Sequence, residues 1–356
     1  MSANTVENRF SRQQRLAEIG AAGQDALANS TVMIVGCGAL GCMSAELLAR
    51  AGVGRLVLVD RDLVEWSNLQ RQHLFDEADA MAGEAKVAAA CARLKAINQQ
   101  VDVVALSTDL HAGNAESLLK SLPAPCDVII DGLDNFNSRF VLNDLAVKYQ
   151  VPLIYGAAVA TFGSVYVVLP KQRDPSSLCL QCLFPDELHP GMSPGCSAAG
   201  VLGPLIAQVA AKQVTEALKI LTGRLQDVDR QLGLFDPWYN LYQPVTLSAP
   251  LQSCSCCEAH QFDFLGQKTA SGSQWLCGHE TIQIRPPQPI HDLDFHRLAQ
   301  QLPADSYSLS CFMLRYKTSV AGREVECTFF RDGRALVRGL DDLAVASRLY
   351  SELLEL

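Results

Sequence analysis

Apolar and polar positions change period repeatedly along the chain, and each change marks an element. Residues 32–35 are a short apolar run rich in β-branched side chains, as expected of a buried strand. The run enters a turn, Gly36-Cys37-Gly38-Ala39-Leu40-Gly41, and an alanine- and leucine-rich stretch then reads as helix to about Ala51. A second apolar run, 56–59, ends at Asp60. Upstream, residues 9–29 read as a helical arm with Leu16, Ile19, Ala22 and Leu27 on a loosely apolar side. Downstream, the pattern predicts helices over 86–97, 115–119 and 136–149, and strands over 101–105, 128–131, 153–155 and 164–169. Residues 183–195, rich in Pro and Gly, read as a mobile loop ending at Cys196. A long helical run follows over 197–221, and then closing antiparallel strands within 231–247. Regular strand–helix alternation predicts an α/β fold, a doubly wound and mostly parallel sheet.

Beyond about Gln261 the pattern weakens into a polar linker, QKTASGSQ, and a small α/β extension follows. Its strands are expected at 281–285, 310–316, 325–330 and 335–337, its helices at 295–302 and 341–354, with Asp332-Gly333 as a hairpin turn. The predicted organisation is a domain over 1–260, a linker over 261–276 and an extension over 277–356. Cys311 and Cys327 fall in expected strands.

Composition narrows the function classes. A chain of 356 residues suggests about two domains, and 49% hydrophobic with 19% charged residues is enough to bury a core. The net charge of -9, without any Lys/Arg-rich run, argues against nucleic acid as the main ligand. No apolar stretch approaches the ~20 residues needed to cross a bilayer, and MSANTVENRFSRQQRL lacks a secretory core. The expectation is a cytoplasmic protein with neither membrane nor nucleic-acid partner. Thirteen cysteines without a signal peptide are expected free, metal-bound or catalytic. Cys37, Cys42, Cys91 and Cys126 lie in apolar or helical settings and read as core.

The candidate chemistry starts at the glycine turn, which lets the backbone approach a phosphate, with the amides of the following helix start facing it. Asp60 stands where a carboxylate can accept from a ribose hydroxyl. A lone glycine turn is commonest in dinucleotide oxidoreductases, but Asp62, Asn68, Arg71, Gln72 and Lys86 follow closely. A triphosphate needs added cations that a pyrophosphate does not, and Arg and Lys supply them; the alternative is that both are solvated surface charges. Strand 128–131 runs into Gly132-Leu133-Asp134, where an acidic residue at the ligand-facing sheet edge can hold Mg²⁺. Cys179-Leu-Gln-Cys182 and Cys254-Ser-Cys-Cys257 are two hooks able to surround Zn²⁺ with four thiolates, with Cys256 as a competitor inside the second. Cys196, read as opening a helix, would gain thiolate character from the helix dipole.

The segments RQQRL, GCGALG, LVDRDLVEWSNLQRQHLF, GEAKV and DGLDNFNSRFVLND, in this order, resemble the ubiquitin-activating-enzyme-like adenylyltransferases. Within them the chain is most similar to the ThiF/MoeB/HesA family, over about residues 8–260. Two departures are visible: Ala39 replaces a usual glycine, and Ala198 stands where an acidic residue is frequent. The resemblance implies a Rossmann-like fold and ATP with Mg²⁺ bound by Gly36, Gly38, Ala39, Leu40, Gly41, Asp60, Asp62, Asn68, Arg71, Gln72, Lys86 and Asp134. It implies Arg71, Lys86, Asp134 and Cys196 as catalytic, with Arg12 reaching the nucleotide of a neighbouring subunit in a homodimer. It further implies a structural zinc at Cys179, Cys182, Cys254 and Cys257. The implied activity is adenylylation of the C-terminal Gly-Gly of a small ubiquitin-like sulfur carrier, of thiazole (thiamine) or molybdopterin type, with a sulfur donor such as a cysteine desulfurase. The rival readings are an NAD-dependent oxidoreductase and a non-catalytic nucleotide-binding scaffold for a ubiquitin-like partner.

Overall fold

The computed structural model describes residues 9–185, 200–248, 253–267, 272–275, 281–286, 290 and 292–355. The chain divides into two compact units, Met1–Gln267 and Lys268–Leu356.

The first unit begins with α1 (Gly20–Ala28), β1 (Thr31–Val35), α2 (Ala39–Ala51) and β2 (Arg55–Asp60). Next come α3 (Glu77–Ala82), α4 (Lys86–Ile97), β3 (Asp102–Ser107), α5 (Ala115–Lys120), β4 (Val128–Asp131) and α6 (Phe136–Tyr149). It ends with β5 (Leu153–Val159), β6 (Phe162–Val168), α7 (Leu180–Leu183), α8 (Gly203–Leu221), β7 (Leu232–Asp236) and β8 (Leu241–Val245). One eight-stranded sheet has the order β3-β2-β1-β4-β5-β6-β7-β8, parallel from β3 to β5 and antiparallel beyond. β1 and β4 are central and buried at every position, so residues 32–35 and 128–130 within them read as unbroken apolar runs. Phe140, Val141, Leu142 and Leu145 of α6 share a core with Met33, Val35, Val57, Val59 and Ile129 on one sheet face, while α2 and α8 pack together. Chain order reverses between β1 and β4, which places a crevice at their carboxyl ends.

Helices α4 and α6 have the bounds predicted, and the doubly wound fold is as expected. The arm 9–29 is not one helix. A 3₁₀ turn at Gln13–Arg15 ends in extended Leu16 (ψ 127°), and α1 begins only at Gly20, whose φ is 61°. The helix expected from 197 begins instead at Gly203, because 200–202 run extended beside Ala160 and Pro204 favours a first helical turn. Cys196, Ala198 and most of the loop 183–195 lie outside the described residues. The long helix expected to follow Cys196 directly, α8, starts seven residues beyond it.

The second unit contains β9 (Gly272–Trp275), β10 (Thr281–Arg285), α9 (Phe295–Ala299), β11 (Tyr307–Leu309), β12 (Met313–Val320), β13 (Arg323–Phe330), β14 (Ala335–Arg338) and α10 (Leu343–Glu355). Its strands form an antiparallel sheet of order β11-β12-β13-β14-β10-β9. Phe295, Leu298, Ala346 and Tyr350 of the helices pack with Ile282, Leu314, Val325, Phe329 and Val337 of the sheet. Asp332-Gly333 forms the expected turn, with Gly333 at φ 77°. The end of the polar stretch read as linker is strand β9, paired with β10. Cys311 is exposed and precedes β12 rather than lying in it.

Candidate active site

The crevice at the ends of β1 and β4 is lined by two glycine turns in backbone contact. Gly36 has φ 89°, and a Cβ there would lie 2.5 Å from the carbonyl of Gly132. A Cβ on Gly41 would lie 1.8 Å from the carbonyl of Gly36. Both glycines are therefore demanded by close approach. Gly38 is the N-cap of α2 and no side chain caps that helix, so its first amides face the crevice. Ala39 and Leu40 open α2 with Gly41 behind them. Ala39 stands at a helical position, which tolerates a methyl group.

Asp60, at the tip of β2, accepts from the Cys37 amide at 2.6 Å and from the Asp62 amide at 2.7 Å. Its carboxylate thus fixes the glycine turn while retaining lone pairs for a ligand. Burial pushes the Asp60 pKa up, and the Lys86 ammonium opposes that rise. Lys86 is buried and pairs with Asp62 at 2.9 Å. Burial favours its neutral form, but Asp62 and Asp60 outweigh this and hold it charged, above the ordinary lysine range. Asp62 also faces Arg61 at 3.6 Å, and Arg61 pairs with Asp109 at 3.1 Å. The reading of Lys86 as a solvated surface charge is thereby excluded.

Asn68 is buried and accepts from the Glu65 amide at 3.1 Å, so its side chain caps the 3₁₀ turn Trp66–Asn68. Arg71 is half-exposed and donates to the Ser67 carbonyl at 2.8 Å. Gln72 is buried with its Nε2 3.9 Å from where a Gly38 Cβ would stand, and its Oε1 has no hydrogen-bond partner among the described residues. Asp134 is exposed past the second glycine turn and accepts from Asn135 Nδ2 at 3.2 Å. Asp131 is fully buried, pairs with Arg139 at 3.2 Å and accepts from the Leu133 amide at 2.9 Å. Burial pushes its pKa up to about 6. Arg12 is exposed at the start of the 3₁₀ turn Gln13–Arg15. The fold gathers the glycine turn, Asp60, Asp62, Gln72, Lys86 and the turn bearing Asp134, but not the cysteine hooks.

The hooks meet at the other half of α6. Cys179 Sγ is 3.8 Å from Cys182 and 3.7 Å from Cys254, and Cys182 is 3.6 Å from Cys257. All four sulfurs lie within 4.8 Å of one another. Four thiolates at about 2.3 Å from a tetrahedral zinc stand about 3.8 Å apart, so the cluster fits that ion. Cys256 is not one of these four: beside Cys179, it donates to Asp144 Oδ1 at 3.3 Å and accepts from Asn143 Nδ2 at 3.3 Å. Cys37 and Cys42 are buried as expected, and Cys91 and Cys126 half-buried. Sequence reasoning missed Arg61, Arg139 and Gln213, the last fully buried on α8. For Gln213 the available signal was a polar side chain in step with the apolar positions of its helix.

Comparison with known proteins agrees with this geometry. The model of the ThiF family matches residues 10–256. A Bacillus subtilis (strain 168) protein named sulfur carrier protein ThiS adenylyltransferase is 40% identical over 353 residues, covering 97% of this chain and 98% of that one. A Thermus thermophilus sulfur carrier protein adenylyltransferase is 38% identical over 241 residues, covering 67% of this chain and 87% of its own. The fold is also similar to that of Escherichia coli MccB with ATP (TM-score 0.56, 22% identity, 70% of this chain and 74% of that one). A glycine-turn crevice holding a buried lysine, with a sequence relative matched from end to end, has one reading: the chain belongs to the ThiF family.

Proposed function

We propose that the protein uses ATP to adenylylate the C-terminal Gly-Gly carboxylate of a small ubiquitin-like sulfur carrier of thiazole or molybdopterin type. The observation that carries this is Lys86, a charged ammonium buried beside the glycine turn and held by Asp62; a cation so placed suits a polyphosphate better than the two phosphates of NAD. The relative matched over nearly its whole length is named for the same reaction.

In this reading the phosphates lie on the 36–41 turn and the first amides of α2, and Asp60 accepts from the ribose. Asn68 and Gln72 line the same crevice. Lys86, Arg71 and Arg12 of the partner subunit spread the charge that develops as the carrier carboxylate attacks the α-phosphorus. The bond formed is carboxylate oxygen to phosphorus, and the α–β bridging bond breaks to release pyrophosphate. Asp134 would hold Mg²⁺, which offsets charge on the phosphate oxygens. Cys179, Cys182, Cys254 and Cys257 would hold zinc in a structural role. A nucleophilic sulfur of a donor such as a cysteine desulfurase then attacks the acyl carbon of the adenylate, forming a carbon–sulfur bond as the acyl–oxygen bond breaks and AMP leaves, with Cys196 as candidate relay. The activity is assigned to residues 1–260 of a cytoplasmic homodimer.

The test is ATP–pyrophosphate exchange with purified protein and a Gly-Gly carrier. Carrier-stimulated, Mg²⁺-dependent exchange is expected. Its absence, or turnover of a nicotinamide cofactor instead, overturns the proposal.

A further inference from the structure

Arg139 and Gln213 are buried polar side chains to which the nucleotide-binding reading assigns no role. β4 and β5 pair only through Ile129–Leu153 and Ile130–Ile154. They then part: β4 ends at Asp131, while β5 runs on to Val159 beside β6. Buried carbonyls at such a fork need partners from elsewhere. Gln213, from α8, donates its Nε2 to the Asp131 carbonyl at 2.9 Å and to the Ile154 carbonyl at 3.0 Å. Arg139, from α6, donates to the Leu133 carbonyl at 2.5 Å and the Gly156 carbonyl at 3.0 Å, with its Nε 3.2 Å from Asp131 Oδ2. Gly156 makes room for this, since a Cβ there would lie 2.4 Å from Gln213 Nε2. The Arg139 guanidinium also faces the rings of Tyr155 at 5.0 Å and Phe136 at 5.6 Å. One carboxylate, two carbonyls and two rings offset the cost of burying its charge.

The turn that leaves this fork is Gly132-Leu133-Asp134. Gly132 donates to the Val35 carbonyl at 2.8 Å and abuts Gly36 of the nucleotide turn. Arg139 therefore holds the carbonyl immediately before Asp134, and Gln213 holds the one at the end of β4. We infer that Arg139, backed by Gln213, is the positioning residue for Asp134: it sets where that carboxylate faces the nucleotide turn and contacts no substrate itself. The inference rests on the proposed role of Asp134.

Two full-length variants test it. Arg139→Lys keeps a charge for Asp131, but a single ammonium lacks the planar fork that spans both carbonyls. Gly156→Ala displaces Gln213 while leaving Arg139 and Asp134 themselves unsubstituted. In carrier-dependent ATP–pyrophosphate exchange, Arg139→Lys should lose about 10- to 100-fold in kcat, as for a misplacement of about 1 Å. The free Mg²⁺ giving half-maximal exchange should rise in both variants, less in Gly156→Ala, while ATP binding measured in EDTA stays at the wild-type value. A merely structural role would depress metal-free ATP binding in parallel and leave the Mg²⁺ requirement unmoved; either result overturns the inference. Wild-type protein without carrier-stimulated exchange would sink the adenylylation reading instead. Active wild-type protein with superimposable Mg²⁺ profiles for the variants sinks only this inference.

Discussion

Alanine at Gly41 and alanine at Gly38 separate what the glycine turn does for the fold from what it does for the ligand. The Gly41 methyl would fall 1.8 Å from the Gly36 carbonyl oxygen, 2.9 Å from its carbon and 3.3 Å from Ile34 Cγ2. Ordinary contact is about 3.5 Å, so backbone on one side must retreat by about 1.7 Å. Overpacking of this kind costs about 1–3 kcal/mol, or a fall in Tm of about 2–10 °C for a unit this size. The retreat displaces the phosphate cradle itself, so exchange activity should drop about 100-fold. Gly38 is the opposite case: its φ is negative, at -78°, and a Cβ would meet nothing nearer than Gln72 Nε2 at 3.9 Å. Gly38→Ala should keep the wild-type Tm, yet its methyl stands where a phosphate approaches and should weaken ATP binding about tenfold, about 1.4 kcal/mol. Thermal melts and ATP titrations on both variants decide the matter. Gly41→Ala with wild-type Tm and exchange, or Gly38→Ala with a lowered Tm and intact ATP affinity, would refute the reasoning.

Metal analysis of purified protein should find about one zinc per chain, lost in Cys182→Ser but kept in Cys256→Ser; equal retention in both defeats the four-thiolate site. Asp131 gives a pH signature. Its folded pKa is about 6, above the unfolded value of about 3.9. Its contribution is therefore complete below about pH 4 and is lost as pH rises through about 6, up to about 3 kcal/mol. Urea unfolding of wild type and Asp131→Asn should show a stability difference that declines across that window, and a constant difference would contradict the assignment. Mixing equal amounts of inactive Arg12→Ala and Lys86→Gln chains should restore about a quarter of the wild-type activity if each site takes Arg12 from its neighbour, since about half of the dimers are then mixed and each holds one intact site of two. No recovery after subunit exchange would place Arg12 outside the partner's site.

Several features were legible from residue order alone. The strand–turn–helix–strand unit from β1 to β2, the bounds of α4 and α6, and the pairing of the two cysteine hooks rest on periodicity, turn glycines and short spacings. Those signals are written within a few neighbouring residues, so chain order suffices. The arm before α1 and the start of α8 were misread because a left-handed Gly20 and the extended 200–202 pairing override helix propensity there. What only tertiary structure decided is which polar groups meet. Asp60 turned out to clamp the Cys37 amide, Asp62 to hold Lys86, and Asn143 with Asp144 to hydrogen-bond Cys256. The β4–β5 fork joins Gln213 to a carbonyl 82 residues away. A buried polar group must find its partner wherever the packed chain supplies one, and that requirement has no local period to read.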